Sequence, residues 1–337
     1  MRVTWEVYGL ELRTPLRISR SVMSRRDAVR VVVECDGTRG HGEVVTSVYY
    51  GLDVPRILEL LTGLRPAFAG VREPAAAFDL ITDLPSGVRA AVDAALHDLV
   101  ASRAGVPARV ALDCPEWTDV ATAYTIGLTS PGEAASQAAS LAHRGFSVLK
   151  VKAGGDHDVA VVRAVRAAAP EARLVLDPNG GWTAEQAARV LDAIGAAGVG
   201  LDAVEQPLAP GHLEASAWLR ARCAFPLVAD EDAATVADVR ALAGVVDGVN
   251  VKLAKCGGVT AALELIAAAR EVGLDVMLGC LVASSLGIAP AVHLTGHARW
   301  VDLDGHLLLA DDPWSGISGE DGTLRLSDAR GWGVVRR

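Results

Sequence analysis

The 337-residue sequence lacks the features that mark most secreted, membrane-spanning and zinc-binding proteins. It has only five scattered cysteines and no CxxC pair, which argues against a thiolate zinc site and favours a reducing compartment. It has no run of about 18 apolar residues, and its N-terminus, MRVTWEVYGLELRTPL, has no signal-peptide pattern. We therefore expect a soluble, cytoplasmic protein that does not contact membranes.

Common catalytic and nucleotide-binding motifs are missing as well. No GxSxG segment offers a serine nucleophile, no HExxH pattern accompanies the histidines, and no Walker or dinucleotide pattern surrounds the glycine pairs. The net charge of −9 argues mildly against nucleic acid as a partner. The expected partner is therefore a small-molecule substrate.

What the sequence does contain is a repeat. From residue 120 onward, short β-type runs alternate with amphipathic helical runs, and their starts lie about 22 to 29 residues apart. The eight β-type runs are residues 121–128, 147–152, 172–177, 201–206, 226–231, 248–253, 274–279 and 299–304. Eight such units predict a TIM-like α/β barrel. Because no clear helix follows the eighth run, we expect the modified (β/α)7β form.

The first 115 residues follow a different pattern. TWEVYGLELR and RVVVECDGTRGHGEVV indicate antiparallel strands with a turn at Asp36-Gly37, and the apolar run GVRAAVDAALHDLVASRAG indicates a helix. We therefore predict an α+β capping domain over 1–115 and a barrel catalytic domain over 116–310. The tail, 311–337, is expected to pack back on the cap, and the loop 16–30 to close over the barrel mouth.

Charged residues end six of the eight predicted strands, at the end of a barrel where catalytic residues lie. They are Lys150 with Lys152, Asp177, Glu205, Asp230, Lys252, and Asp302 with Asp304. Three carboxylates on strands three, four and five suit one Mg²⁺ ion. Lysines on strands two and six flank them, and a lysine near a divalent cation can act as a neutral base. This set suits removal of a proton next to a metal-bound carboxylate, through an enediolate.

The motifs around these residues carry a family resemblance. They are Lys150-Val151-Lys152, LDPNGGW with Asp177, VEQPL with Glu205, VADED with Asp230, and NVKLAKCGG with Lys252. The sequence resembles the muconate-lactonizing enzyme subgroup of the enolase superfamily, over nearly the whole chain and including GHGEVVTSVYYG in the cap. The resemblance implies that Asp177, Glu205 and Asp230 bind one Mg²⁺ per subunit, for which Mn²⁺ can substitute. It also allows a homo-oligomer.

The resemblance gives the lysines different roles. It implies that Lys152 and Lys252 are the two acid/base residues. Lys150 becomes an electrostatic partner that lowers the pKa of Lys152 and touches the substrate carboxylate. Lys255 matches the second lysine of the KxxK segment, and its role, substrate contact or structural charge, is left open.

The stretch WVDLDGHLLL discriminates among the activities of the subgroup. Asp302 and Asp304 lie two apart on the last strand and so on one face. They resemble the DxD motif with which dipeptide epimerases hold the α-ammonium group of a dipeptide. We therefore expect a dipeptide epimerase that converts L,L to L,D forms. Side-chain specificity stays open, because Ala283 stands where relatives often have an acid, and the basic residues Arg20, Arg25 and Arg26 cannot be placed.

Several alternatives remain. The same site could serve an o-succinylbenzoate synthase, an N-succinylamino acid racemase or a muconate cycloisomerase, although their substrates offer no ammonium group to the two aspartates. A Schiff-base aldolase would use a barrel lysine but would leave the three carboxylates without a role. A non-catalytic binder of small molecules would use the scaffold alone.

Overall fold

The computed structural model describes residues 1–18, 21–117 and 119–337. The N-terminal part is a three-stranded antiparallel sheet, in the order β1-β2-β3, packed against helices. Its elements are β1 (Arg2–Ile18), β2 (Ser21–Cys35), β3 (Thr38–Val45), α1 (Val54–Ala69), α2 (Ser86–Ala104) and α3 (Ala108–Ala111), with short 3-10 helices at Pro74–Ala77 and Asp79–Ile81. The turn at Asp36 and Gly37 has positive φ at both residues, as predicted for a tight hairpin.

One face of this sheet forms a separate core with the helices. Val29, Val31 and Val33 alternate along β2, are fully buried, and pack with Leu96 and Leu99 of α2. Because strand side chains alternate, the even-numbered residues of β2 face the other way. The cap therefore has a core of its own and a second face turned towards the rest of the molecule.

The second part is the predicted barrel, and the prediction is confirmed. Eight parallel strands form one sheet whose spatial order follows the chain. A short strand outside this sheet, β4 (Val120–Ala121), precedes it. The elements of the barrel are β5 (Ala123–Ile126), α4 (Pro131–His143), β6 (Val148–Lys152), α5 (Asp158–Ala168), β7 (Arg173–Asp177), α6 (Ala184–Ala196), β8 (Ala203–Glu205), α7 (Leu213–Arg220), β9 (Leu227–Ala229), α8 (Val236–Ala241), β10 (Gly248–Lys252), α9 (Leu253–Cys256), α10 (Val259–Glu271), β11 (Asp275–Gly279), α11 (Ser285–Val292), a 3-10 turn (Thr295–His297) and β12 (Trp300–Asp302). Leu303 N donates to Thr122 Oγ1 (2.9 Å) where the last strand meets the first.

Local sequence fixes where several barrel helices begin. Ser130 caps α4, Thr183 caps α6 and Thr235 caps α8, each in a reciprocal capping box with the residue three positions on. Such caps satisfy the free backbone N–H groups of the first helical turn. They therefore fix the length of the loops that connect the strand ends to the helices.

The inside of the barrel has two layers. The lower layer is apolar and consists of Ala123, Val148, Val175, Ala203, Val228, Met277 and Trp300. The upper layer is charged and carries the residues predicted for the site. Leu149 and Val151 point outward into the core under the helices, so strand alternation turns Lys150 and Lys152 into the barrel. The charged layer thus lies on an apolar floor that excludes water from below.

The C-terminal segment forms only short strands and contacts the cap. They are β13 (Trp314–Ser315), β14 (Thr323–Leu324) and β15 (Val335–Arg336). Arg336 pairs with Glu6 of β1 (2.6 and 2.8 Å), and Trp332 Nε1 donates to Ala94 O of α2 (3.0 Å). Residues 303–337, all described, contain no helix, as expected for the atypical last unit. The domain limits at 115 and 310 stay a prediction.

Two further findings bear on the expectations above. The segment 16–30 is mostly strand, because Leu16 pairs with Met23 and Ile18 with Ser21, so the prediction of a loop was wrong. Ser19 and Arg20 lie outside the described residues. Within the described ranges, no helix has the length and apolarity needed to cross a membrane.

Candidate active site

The charged layer is assembled by strand register. Lys152 lies beside Asp177 on the neighbouring strand, and Lys252 lies level with Gly279, which in turn lies level with Asp302. All these positions are at the C-terminal ends of parallel strands, where the barrel opens under the cap. The register therefore brings the predicted residues of strands two to eight to one mouth.

Lys150 lies at the centre of this mouth. It is 2% exposed, and its Nζ lies 2.6 Å from Glu205 Oε2, 2.7 Å from Asp302 Oδ2 and 3.0 Å from Asp177 Oδ2. Three carboxylates thus match the three N–H groups of one ammonium. Lys152 Nζ lies 2.5 Å from the same oxygen of Asp177. The two lysines of the VLKVK strand therefore share one carboxylate in a closed interior.

Lys252 lies on the opposite wall. Its Nζ lies 2.6 Å from Asp230 Oδ2 and 3.4 Å from Glu205 Oε1, and Asn250 Nδ2 donates to the same Glu205 oxygen (2.8 Å). A Cβ at position 279 would lie 2.5 Å from Asn250 and 2.8 Å from Lys252 Cε. Gly279 therefore makes the space in which both side chains reach Glu205.

Lys255 is fully engaged by protein groups. It donates to Asp230 O, to Asp230 Oδ1 (2.8 Å) and to Asn250 O (2.7 Å). These three acceptors account for all three N–H groups of its ammonium. The arrangement favours a structural charge that fixes Asp230 over direct contact with a substrate.

Three amide residues near the carboxylates, Asn179, Gln206 and Asn250, stand in the quoted sequence motifs, but the sequence analysis gave them no role. Gln206 Oε1 accepts from Asp230 N (2.8 Å), and its Nε2 donates to Asp232 (2.7 Å), so it links strands four and five. Asn179 N donates to Asp177 Oδ1 (2.9 Å). Asn250 could have been found, because it lies two residues before Lys252 and so on the same strand face.

Burial and charge act in opposite directions on these groups. Burial alone would lower the pKa values of Lys150 and Lys252, but the surrounding carboxylates raise both well above the usual range. Burial alone would raise the pKa values of Asp177 and Asp230, but the lysines hold both well below the usual range. Burial and the neighbouring Asp177 raise the pKa of Glu205. The cluster is thus held together by strongly coupled ion pairs.

Asp302 and Asp304 lie at the edge of the cluster and are both buried. Asp304 Oδ2 accepts from Thr125 N (2.7 Å), and burial together with Asp302 raises the pKa of Asp304 to about 6. Asp302 Oδ2 pairs with Lys150, whereas its Oδ1 is buried without a hydrogen-bond donor among the described residues. Two neighbouring carboxylates with an unpartnered oxygen suit a cationic or hydrogen-bond-donating group of a ligand.

The cap contributes the roof of the site. A cavity between cap and barrel is lined by Tyr50 from the cap and by Lys252, Cys280, Leu281 and Ala283 from the barrel, among others. Burial and the Asp230 carboxylate raise the pKa of Tyr50. This wall is largely apolar.

The arginines of the cap differ in their surroundings. Arg25 is exposed and pairs with Asp27 (3.0 Å) and Glu11 (3.3 Å). Arg26 is mostly buried, its Nη1 donates to Val282 O (3.3 Å), and burial lowers its pKa to about 10. Arg20, the third candidate, lies outside the described residues. Of the two described, Arg26 is therefore the one that reaches the loop after strand seven.

The carboxylates fit a divalent cation by their chemistry, although they are not arranged as a ready-made site. In the part of the chain that the structure describes, no three His, Cys, Asp or Glu side chains form a metal-binding group, because lysines lie between them. Buried carboxylate oxygens are the ligands that Mg²⁺ prefers. Asn179 Oδ1 and Asn250 Oδ1 are also buried without donors among the described residues, as suits a site with metal-bound waters.

A barrel with a charged mouth, covered by an α+β cap, defines the class of the protein. The family described as "Enolase C-terminal domain-like" matches residues 133–336. The chain belongs to this family, and with it to the enolase superfamily. Within the superfamily it belongs with the dipeptide epimerase group, as three comparisons illustrate.

The chain is 33% identical to the L-Ala-D/L-Glu epimerase of Escherichia coli K12, over 94% of this chain and 96% of the relative. It is also 33% identical to the hydrophobic dipeptide epimerase of Roseobacter litoralis, over 99% of both chains. Its structure is similar to that of the dipeptide epimerase from Enterococcus faecalis V583 complexed with Mg and the dipeptide L-Leu-L-Tyr (TM-score 0.93, 27% identity, 99% of both chains). These relatives are named for different dipeptides, so family membership alone does not give the side-chain specificity.

Proposed function

We propose that this chain is an isomerase that epimerises dipeptides, from the L,L to the L,D form, with Mg²⁺ as cofactor. The observation that carries the proposal is the position of two lysines on opposite walls of one buried carboxylate cluster. Lys152 pairs with Asp177 on strand three, and Lys252 pairs with Asp230 on strand five. A proton can then leave one face of an α-carbon held between them and return to the other.

The remaining residues orient the substrate. Asp302 Oδ1, which lacks a donor among the described residues, and the adjacent Asp304 suit the α-ammonium group of a dipeptide. The family resemblance assigns Lys150 to the substrate carboxylate. Asp177, Glu205 and Asp302 engage all three N–H groups of Lys150 in the structure, so this contact requires the substrate to replace one of them. These contacts would fix the α-carbon of the second residue between the two bases, which is the positioning that proton transfer requires.

Asp177, Glu205 and Asp230 are the residues that would hold the metal ion. When bound, Mg²⁺ supplies positive charge that stabilises the negative charge developing on the substrate carboxylate as the α-proton leaves. The apolar floor of the barrel and the cap wall around Tyr50 exclude water from this charge. The five free cysteines fit the cytoplasmic location that the sequence predicts, and the oligomeric state and the use of Mn²⁺ stay predictions.

The test is incubation of a panel of L,L-dipeptides in D₂O with Mg²⁺. The expected result is deuterium at the α-carbon of the C-terminal residue and the appearance of the L,D form, both detected by NMR. Chelation by EDTA should stop the exchange, and the double variant Lys152→Ala/Lys252→Ala is the matched control. Exchange with an N-succinylamino acid but with no dipeptide would overturn the dipeptide assignment while keeping the proton chemistry.

A further inference from the structure

The cap contains a largely buried carboxylate that the proton chemistry does not use. Glu43 lies on β3, and burial raises its pKa. Its Oε1 accepts from Ser284 N (2.9 Å), and its Oε2 accepts from the hydroxyls of Ser284 and Tyr8. Among the described residues, no lysine or arginine is ion-paired with it. Hydrogen bonds from Tyr8 and Ser284 therefore compensate for the lost hydration of this carboxylate, and they tie it to one residue of the cap and one of the barrel.

Glycines allow close packing on both sides of Glu43, against α2 within the cap and against α11 of the barrel. A Cβ at Gly40 or Gly42 would lie 2.0 Å from a backbone oxygen of α2, so these glycines let β3 lie directly against that helix. A Cβ at Gly287 of α11 would lie 2.6 Å from Glu43 Oε1. The GHGE segment of the cap and the glycine of α11 therefore form one joint between cap and barrel.

The barrel side of this joint is the loop that follows strand seven. Ser284 caps α11, since its hydroxyl accepts from Leu286 N (3.2 Å). The loop between Gly279 and Ser284 carries Leu281 and Ala283, which line the cavity together with Lys252. A shift of Ser284 would therefore move the cavity wall that lies next to one of the two proposed bases.

We propose that Glu43 is a positioning residue: it holds Ser284 from the cap and thereby fixes the 280–284 wall of the substrate pocket beside Lys252. This inference rests on the proposed function as far as the substrate is concerned. In this proposal the cap does more than cover the pocket, because one of its residues also fixes the position of a pocket wall. The proposal also gives a physical role to the GHGE segment, which the sequence analysis quoted only as part of the family resemblance.

The test compares Glu43→Ala with Glu43→Gln. The alanine variant leaves Ser284 N–H without its acceptor, and the KM for the dipeptide should rise at least about tenfold, with a smaller change in kcat, because misplaced pocket walls weaken positioning. The glutamine variant keeps the Oε1 acceptor, and its amide can donate to the two hydroxyls, which can reverse their roles. Its KM should stay within about threefold of the wild type.

Two further variants separate positioning from general destabilisation. Gly287→Ala pushes from the barrel side on Glu43 Oε1 (2.6 Å) and on Ala283 Cβ (2.9 Å) of the 280–284 wall, and it should raise KM as Glu43→Ala does. Asp98→Asn is the matched control, because Asp98 is another buried cap carboxylate that binds His41 N (2.8 Å) of the same GHGE segment and Trp332 N (2.9 Å), but its hydrogen bonds do not involve Ser284. It should lower stability and leave KM unchanged. An unchanged KM in folded Glu43→Ala, or an equal rise in Asp98→Asn, would overturn the proposal.

Hydrogen–deuterium exchange without substrate keeps the test independent of the proposed function. Glu43→Ala and Gly287→Ala should speed amide exchange in residues 279–292 by about tenfold or more, and Asp98→Asn should not. If the wild type acted on no dipeptide but this pattern held, the proposed function would fail and the positioning role would stand. Unchanged exchange in 279–292 for both variants, or a glutamine variant as defective as the alanine variant, would refute the positioning role.

Discussion

Replacing Lys152 and Lys252 one at a time by alanine should separate the two faces of the substrate α-carbon. Lys152 lies on β6 and Lys252 on β10. Around the barrel, three strands lie between β6 and β10 in either direction. They are thus on opposite walls, and each can reach only one face of a substrate held between them. Each single variant should therefore lose proton exchange with one epimer and keep it with the other.

The structure indicates that both variants fold. Removing Lys152 leaves Asp177 with Lys150 at 3.0 Å, and removing Lys252 leaves Asp230 with Lys255 at 2.8 Å. Each buried carboxylate keeps one ammonium partner, so the loss in the free energy of unfolding should stay below the roughly 3–5 kcal/mol of a fully broken buried pair. Urea denaturation checks this before any rate is interpreted.

The expected loss in rate is large. A positioned general acid or base contributes about 10²–10⁴-fold, so overall epimerisation by each variant should fall by at least about 10²-fold. The assay follows α-proton exchange in D₂O by NMR, starting separately from the L,L and the L,D dipeptide. Two folded variants that exchange the same epimer, or that each exchange both, would refute the opposed-base geometry.

Three further predictions concern other buried groups. Burial raises the pKa of Asp98 to about 6, so the folded chain binds this proton more tightly than the unfolded chain, and the free energy of unfolding should fall by about 2 kcal/mol as the pH rises from about 4 to about 6. Urea titrations across that range should show a weaker pH dependence in Asp98→Asn. Asp304→Asn should raise the KM of a dipeptide by about 10-fold or more, and leave the KM of its N-acetylated form unchanged. Gly258→Ala should lower the free energy of unfolding by more than about 2 kcal/mol, because Gly258 has a φ of 120° and its new Cβ would lie 2.4 Å from Asp93. The control Gly244→Ala, which has open space around the new Cβ, should lower it by about 1 kcal/mol.

The barrel strands could be predicted because their signal is local and repeated. The runs 147–152 and 172–177 differ from β6 and β7 by a single residue at the start. The 16–30 segment could not be predicted in the same way. Its strand character depends on pairing between Leu16 and Met23 across the tip of a long hairpin, and the polar run SRSVMSRR does not show that register.

The positions of the site residues could be predicted from strand ends, but their supporting contacts could not. Gln206 and Lys255 act through groups on neighbouring strands, since one binds Asp230 N and the other binds Asp230 and Asn250. Glu43 acts from the other domain, 241 residues away from Ser284 in the chain. Such contacts depend on register and domain packing, which a single sequence does not specify.

The direction of the lysine pKa shifts is a further property that the sequence alone does not predict. From the strand ends one expects ammonium groups crowded around a dication, which lowers a lysine pKa. In the structure, Asp177, Glu205, Asp230, Asp302 and Asp304 meet four lysines, so one negative charge remains in excess and the pKa values of Lys150 and Lys252 are raised. A divalent cation bound to the same carboxylate oxygens would add two positive charges. The cluster would then carry one net positive charge in place of one net negative charge. The residue types thus predict a proton-transfer site, whereas the protonation state of its bases depends on the total charge that the site holds.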